Sequence, residues 1–189
     1  MQSFDEVRAG FFPYSPSPEY TVRAVDAATV QRVFTELADQ VFTSMSDLGL
    51  APFRPPSVAL ANTWNVHAER FVFYDSDENP VGWSISEQRE PDTLFMIWTG
   101  VLPSHQNKGL YSAFVQRYID YARAVGFARI TSNHMVNNRR VLVAKLKAGF
   151  VASGMTLDER WGAMIWLTCH LDAELAATYR SAFSLESYD

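Results

Sequence analysis

Gly100-Val-Leu-Pro-Ser-His-Gln-Asn-Lys-Gly-Leu-Tyr111 joins two stretches of different periodicity. Before it, Thr93–Leu102 is nearly all apolar, the pattern of a central strand covered on both faces, and its interruption at Thr99-Gly100 predicts a bulge. After it, Leu110, Phe114, Tyr118 and Tyr121 recur at helical spacing with Val115, Ile119 and Ala122 beside them, up to a stop at Gly126. A buried strand therefore runs into a polar loop that opens directly into a helix. The first N–H groups of any helix lack internal partners, and the macrodipole places roughly half a positive charge there. A loop arriving from a strand end aims several of those groups at one phosphate or pyrophosphate. Gly109 lets the backbone approach without an intervening side chain, and Lys108 adds charge. The loop lacks the Gly-Lys-Ser/Thr ending of a Walker loop and the three-glycine spacing of a dinucleotide fingerprint.

Outward from the loop, strands and helices succeed one another. Tyr20–Val25 alternates as a short strand, and Asp26 is placed to cap a helix with an inward stripe of Val30, Val33, Phe34, Leu37 and Val41, its helical character running on toward Leu48. The three prolines of Ala51–Pro56 make a loop. Arg70–Asp75 alternates Phe71 and Phe73 against Val72 and Tyr74, and Val81–Ser86 places Val81, Trp83 and Ile85 on one face, with turn chemistry between. Phe127–Met135 is a strand. Asn137 or Asn138 then caps a helix with Val141, Leu142 and Leu146 inward, ending at Gly149. Phe150–Thr156 and Trp161–Leu171 are two further strands, and Asp172 caps a last helix through about Ala182. The order predicts a mixed α/β (α+β) fold. It has one mostly antiparallel sheet of about seven strands, a central parallel strand–helix–strand unit, and helices on both faces. Residues 10–19 are too rich in proline to be helical, so 1–19 reads as a lead-in arm, 20–171 as the domain, and 172–189 as its C-terminal helix and tail.

A chain of 189 residues with 48% hydrophobic content is expected to form one domain with a sizeable core. No apolar run approaches the ~20 residues of a membrane span. A single cysteine, Cys169, rules out an internal disulfide and reads as inert in its apolar strand; His67, His105, His134 and His170 are too scattered for a metal site. With acidic residues early and no apolar leader, a cytoplasmic protein is expected, with no membrane or metal partner. The net charge of −5 hides an asymmetry. Between Lys108 and Lys147 eight basic residues meet one acid, Asp120, for a net +7, and the rest of the chain carries −12. Such an excess marks either solvated helix faces or a site for a polyanionic ligand. An acidic whole with no nucleic-acid motif speaks against DNA or RNA.

The loop resembles the acetyl-CoA loop of the GNAT superfamily of N-acetyltransferases, in which Gln/Arg-x-x-Gly-x-Gly/Ala follows a strand ending in a Val-x-Pro-like tripeptide; the matching residues are Gln106, Gly109 and, at the final small position, Tyr111. Downstream, Asn138-Arg-Arg-Val-Leu-Val-Ala-Lys-Leu-Lys-Ala-Gly-Phe150 resembles the second signature of that family, at the fitting distance. The likeness runs from about Tyr20 to Leu171. It implies transfer of an acetyl (acyl) group from acetyl-CoA to a primary amine by direct attack, without a covalent enzyme intermediate and without a metal. Backbone groups of Gln106, Asn107, Lys108, Gly109, Leu110 and Tyr111 would hold the pyrophosphate, those of Trp98 to Val101, including Gly100, would pair with the pantetheine arm, and Asn138 would bind the pantetheine or a nearby water. The thioester would sit where the central strand and Phe127–Met135 splay apart. The acceptor, a small-molecule or peptide amine, would lie over the Leu48–Ala68 loop and the final strand pair, with Tyr74, Trp64, Trp83 and Trp98 shaping its pocket unless core packing claims the tryptophans.

Two positions depart from the family pattern. Tyr111 must turn its ring away from the phosphates. Lys145 stands where relatives often carry a tyrosine as acid for the leaving thiolate; it protonates or stabilises a thiolate, or else is a solvated helix residue with another group or water as the acid. For the base, His134 and Glu87 are the candidates. The missing tyrosine leaves a second reading, a non-catalytic acyl-CoA-binding module of the same fold. Exposed edge strands or the terminal helix are where a homodimer would form.

Overall fold

The computed structural model describes residues 3–42 and 66–183. In chain order its elements are α1 (Phe4–Ala9), β1 (Tyr14–Ser17), β2 (Tyr20–Ala24), α2 (Ala27–Val41), β3 (Ala68–Asp75), β4 (Pro80–Glu90), β5 (Thr93–Val101), α3 (Leu110–Val125), β6 (Arg129–Met135), α4 (Arg139–Lys147), β7 (Val151–Asp158), β8 (Gly162–His170) and α5 (Ala173–Phe183). Eight strands form one sheet in the order β1-β2-β3-β4-β5-β6-β8-β7. Every pairing is antiparallel except β5 with β6, which are parallel and linked through α3. This is the mixed α/β architecture expected from the sequence. The eighth strand, β1, and helix α1 come from the stretch read as an arm. Ser3 and Glu6 close a capping box at the start of α1, and Phe12 is buried in the main core.

Helices cover both faces. Val30, Val33 and Leu37 of α2 pack on Val72 and Trp83, forming one core. The larger core lies on the opposite face, where Phe114, Val115, Tyr118, Ile119, Tyr121 and Ala122 of α3 meet Phe71, Phe73, Leu94, Met96, Ile130, Leu167 and Cys169. Asp26 caps α2 by accepting from the Thr29 N–H at 2.7 Å, and Asp172 caps α5 through the Leu175 N–H at 2.8 Å. The continuation of α2 toward Leu48, the Ala51–Pro56 loop and Trp64 lie outside the described residues.

Three expectations about register and facing are corrected. The bulge in β5 is at Ile97, not at Thr99-Gly100: Ile85 pairs with Trp98 and Ser86 with Met96, so Ile97 is the extra residue, while Thr99 and Gly100 pair regularly with Ser84 and Trp83. Val81 is itself set out of register, between the pairs Tyr74–Pro80 and Phe73–Gly82, and joins the larger core instead of sharing a face with Trp83. On α4, Leu146 is 51% exposed, and the inward place next to it belongs to Lys145, at 0% exposure. Lys145 is therefore not a solvated helix residue. Counted from Val141, a helix returns to the same face at 144–145 and 148, and that geometry overrides the preference for leucine inside.

Candidate active site

The bulge at Ile97 sits where the parallel pair ends. β5 and β6 are matched from Thr93–Arg129 to Met96–Ser132 and no further. Beyond that point β5 keeps β4 as far as Val101, and β6 keeps β8 as far as Met135. The two strands thus fork from a common apex at Met96 and Ser132. Backbone groups of Ile97–Val101 that face the fork have no strand partner, so they are available to an extended ligand. The extra residue also re-aims the strand: Trp98 faces α2, where it meets Phe34 at 6.0 Å, Phe42 at 5.5 Å and Trp161 at 5.4 Å between ring centroids. Gly100 serves packing as well, since a Cβ there would come within 2.7 Å of the Trp83 ring and 2.9 Å of Val41.

At the mouth of the fork the quoted loop makes a 3-10 turn over Pro103–His105 and enters α3 through Gly109. Asn107 and Gly109 are left-handed, at φ 63° and 79°. A Cβ on Gly109 would meet nothing within 4 Å, so it is the left-handed backbone, not space, that calls for glycine there. The alternation presents consecutive amides to one side. Among the described residues the N–H groups of Asn107 to Ser112 have no backbone acceptor, and the first return bond of the helix is Ala113 N–H to Gly109 C=O at 3.0 Å. Tyr111 packs its ring against the larger core, leaving its amide at the loop surface.

Gln106 ties the loop in place. Its Nε2 donates to the Val101 carbonyl at 2.9 Å, and its Oε1 accepts from Arg140 Nη1 at 2.8 Å. A guanidinium from the start of α4 is thereby held beside the open amides. Asn138 caps α4, its Oδ1 accepting from the Val141 N–H at 3.5 Å. The basic excess divides in two. Arg117 donates to the carbonyls of Gly10 and Phe11, Arg123 pairs with Asp120, and Arg129 pairs with Glu90 and Asp92. These three are architectural. Lys108, Arg139, Arg140 and Lys147 are exposed and, among the described residues, have no carboxylate partner.

The catalytic candidates fall on different sides of the sheet. Glu87 follows Trp83 and Ile85 along the α2 face of β4, half-buried. His134 lies on the α3 face of β6, where its Nε2 is 3.1 Å from Ser132 Oγ; burial, and the charge of Lys145, push its pKa down to about 3. Lys145 reaches under the fork. Its Nζ lies 2.8 Å from Met96 Sδ and 4.1 Å from the centroid of the Phe150 ring, and burial pushes its pKa down to about 7. Burial pushes the Cys169 thiol up, which keeps it neutral.

Sequence reasoning missed a second buried charge. Glu69 is 0% exposed and accepts from Arg8 Nη1 at 2.9 Å and Tyr121 OH at 2.6 Å, with His67 Nε2 at 2.8 Å. Extending the alternation of Phe71 and Phe73 one step back would have placed it inside. Among the described residues no cluster of histidine, cysteine and carboxylates is arranged to hold a metal, and no helix is long and apolar enough to cross a membrane.

The site is thus a forked parallel pair with a loop of open amides and exposed cations at its mouth. The chain belongs to the acetyltransferase (GNAT) family, whose model matches residues 34–150. No curated protein sequence matches it significantly. Among solved structures it resembles the ribosomal-protein-S18-alanine N-acetyltransferase from Escherichia coli, at 13% identity and a TM-score of 0.64, over 81% of this chain and 94% of that one. It also resembles the ribosomal-protein-S5-alanine acetyltransferase from Vibrio fischeri, at 17% identity and 0.63, over 85% and 97%. The spermidine N-acetyltransferase from Vibrio cholerae in complex with CoA and spermine matches at 17% and 0.61, over 84% and 99%.

Proposed function

We propose that this chain transfers the acetyl group of acetyl-CoA to the primary amine of a small-molecule or peptide acceptor by direct attack within the fork. The observation that carries the reading is the end of β5–β6 pairing at Met96 and Ser132, beside a loop whose amides from Asn107 to Ser112 are open. In this reading the loop amides and the Lys108 and Arg140 cations seat the pyrophosphate. Backbone groups of Trp98, Gly100 and Val101 pair with the pantetheine arm. Asn138, its oxygen engaged in capping, offers its Nδ2 to that arm or to a water. Structural neighbours that act on spermidine and on ribosomal-protein alanines support an amine acceptor. With a pKa near 3, His134 is a weak proton acceptor, so deprotonation of the amine falls to Glu87 or to water on the α2 face. The cleft walls there are Trp98, Trp161, Phe34 and Phe42. The protein works in the cytoplasm.

The non-catalytic alternative drew on the absence of a tyrosine at position 145. At that position the structure holds a buried lysine, Lys145, beside Met96. Incubation with acetyl-CoA and an amine panel, following free thiol, tests the proposal. Release of thiol coupled to acetylated amine supports it; acetyl-CoA binding with no transfer across the panel overturns it.

A further inference from the structure

We infer that Arg89 binds a carboxylate on the acceptor, so that the amine entering the fork belongs to the amino-acid class. This rests on the transferase reading and narrows its acceptor. On β4, Gln88 pairs with Leu94 and Glu90 with Thr93, so Arg89 is an extra residue with no partner on β5. Such a bulge turns a side chain out of the direction that strict alternation would give it. The Arg89 guanidinium lies over the Phe95 ring, its Cζ 3.7 Å from the centroid. Phe95 is directly opposite Glu87 and one residue before Met96, the last β5 residue paired with β6. Met96 belongs to the larger core, so the Phe95 ring sits beside the apex of the fork on the α2 face.

A second guanidinium at this end of the sheet has a different setting. Arg129 is tied to Glu90, Asp92 and the Thr93 hydroxyl. Arg89 makes no ion pair and no side-chain hydrogen bond among the described residues. Burial pulls its pKa down, against the opposing charge of Glu87. A partly desolvated guanidinium, held on a ring with its donors unused by the protein, is preorganised to take a carboxylate through two parallel hydrogen bonds.

The neighbours say what that carboxylate is attached to. Glu87 and Arg89 lie close together on one strand without joining in an ion pair, and so form a negative and a positive pole beside the apex. A zwitterion matches both, its ammonium toward Glu87 and its carboxylate toward Arg89. The half-buried Trp166, 5.5 Å from Phe95 between ring centroids, offers an apolar surface to the carbon skeleton. A polyamine is the wrong class for this pair, because Arg89 repels a second ammonium.

Matched acceptors test this: a set of amino acids, each against its own amide, which keeps the size and shape and loses the negative charge. With acetyl-CoA as donor and free thiol followed, kcat/KM is expected to be about 10–100-fold higher for the acid than for the amide, through KM. In Arg89→Met that preference is expected to vanish. KM for the acid rises by the same factor, while the kinetics of the amide and the acetyl-CoA affinity by calorimetry stay unchanged. Arg89→Lys, which keeps the charge without the planar fork, is expected to retain part of the preference. A wild-type protein that favours the amides or does not distinguish them, or an Arg89→Met loss that falls equally on acid and amide, overturns the inference and leaves the transferase reading standing. A wild-type protein that binds acetyl-CoA but transfers to no amine overturns both.

Discussion

Glu69 and Lys145 are both at 0% exposure, lie on the same face of one sheet, and represent opposite solutions to burying a charge. The carboxylate is surrounded by a guanidinium, an imidazole and a phenol, and its pKa stays lowered, despite the opposing effect of burial, through hydrogen bonds from His67, Tyr121 and Arg8. It fastens the N-terminal helix to β3. The ammonium has only polarisable, uncharged neighbours. A satisfied buried charge is architecture; an unsatisfied one is carried at the expense of stability.

The contrast predicts mutations of opposite sign. Removing the ammonium, as in Lys145→Met, should stabilise the fold. Glu69→Ala should do the reverse, lowering stability by about 3–5 kcal/mol with little effect on the kcat of the protein that remains folded. Chemical denaturation and steady-state kinetics on the two variants measure this directly. A destabilised Lys145→Met would erase the distinction.

Acidity sharpens it next. The lowered pKa of Glu69 contributes stability above the usual carboxylate range, and that contribution disappears as pH falls through its folded value. Lys145 is also lowered, but as a base: between about 7 and its ordinary 10.5 the unfolded chain holds a proton that the folded chain has released, so stability rises with pH across that window. Melting temperature against pH should show both rises, Glu69→Gln flattening the acid one and Lys145→Met the alkaline one.

The smallest effects concern the loop, which neither buried charge touches. Gly109→Ala forces a Cβ into a left-handed backbone at φ 79° and should cost about 1–2 kcal/mol, seen as a roughly tenfold weaker acetyl-CoA affinity. Gln106→Ala releases Arg140 and the Val101 carbonyl, and a loss of about 0.5–1.5 kcal/mol in the same affinity is expected.

Much of this was legible in the residues. Gly109 and Gly126 carry the positive φ that helix boundaries ask of glycine, Asp26, Asn138 and Asp172 cap as their side chains allow, and the apolar run of Thr93–Val101 is central. The misses share a cause. Residue type was weighed above position along the element, so Leu146 was turned inward and Lys145 outward, although the turn of the helix dictated otherwise. The β5 bulge was assigned to its glycine, whereas Ile97 shows nothing in its chemistry; only pairing with β4 reveals it. The six-residue α1 is too short for a periodic signal, and only the Ser3–Glu6 box marks it.

That inconspicuous isoleucine acts as a parity switch. Strand side chains alternate sides, so one inserted residue inverts the assignment of everything after it until the strand ends. Were Ile97 paired regularly instead of bulged, Trp98 would swing toward α3, the slot that Gly100 leaves for the Trp83 indole would open on the wrong side, and the loop would leave β5 half a pleat out of phase with α3. Straightening this one bulge would thus do more than smooth a strand: it would exchange the two walls of the cleft.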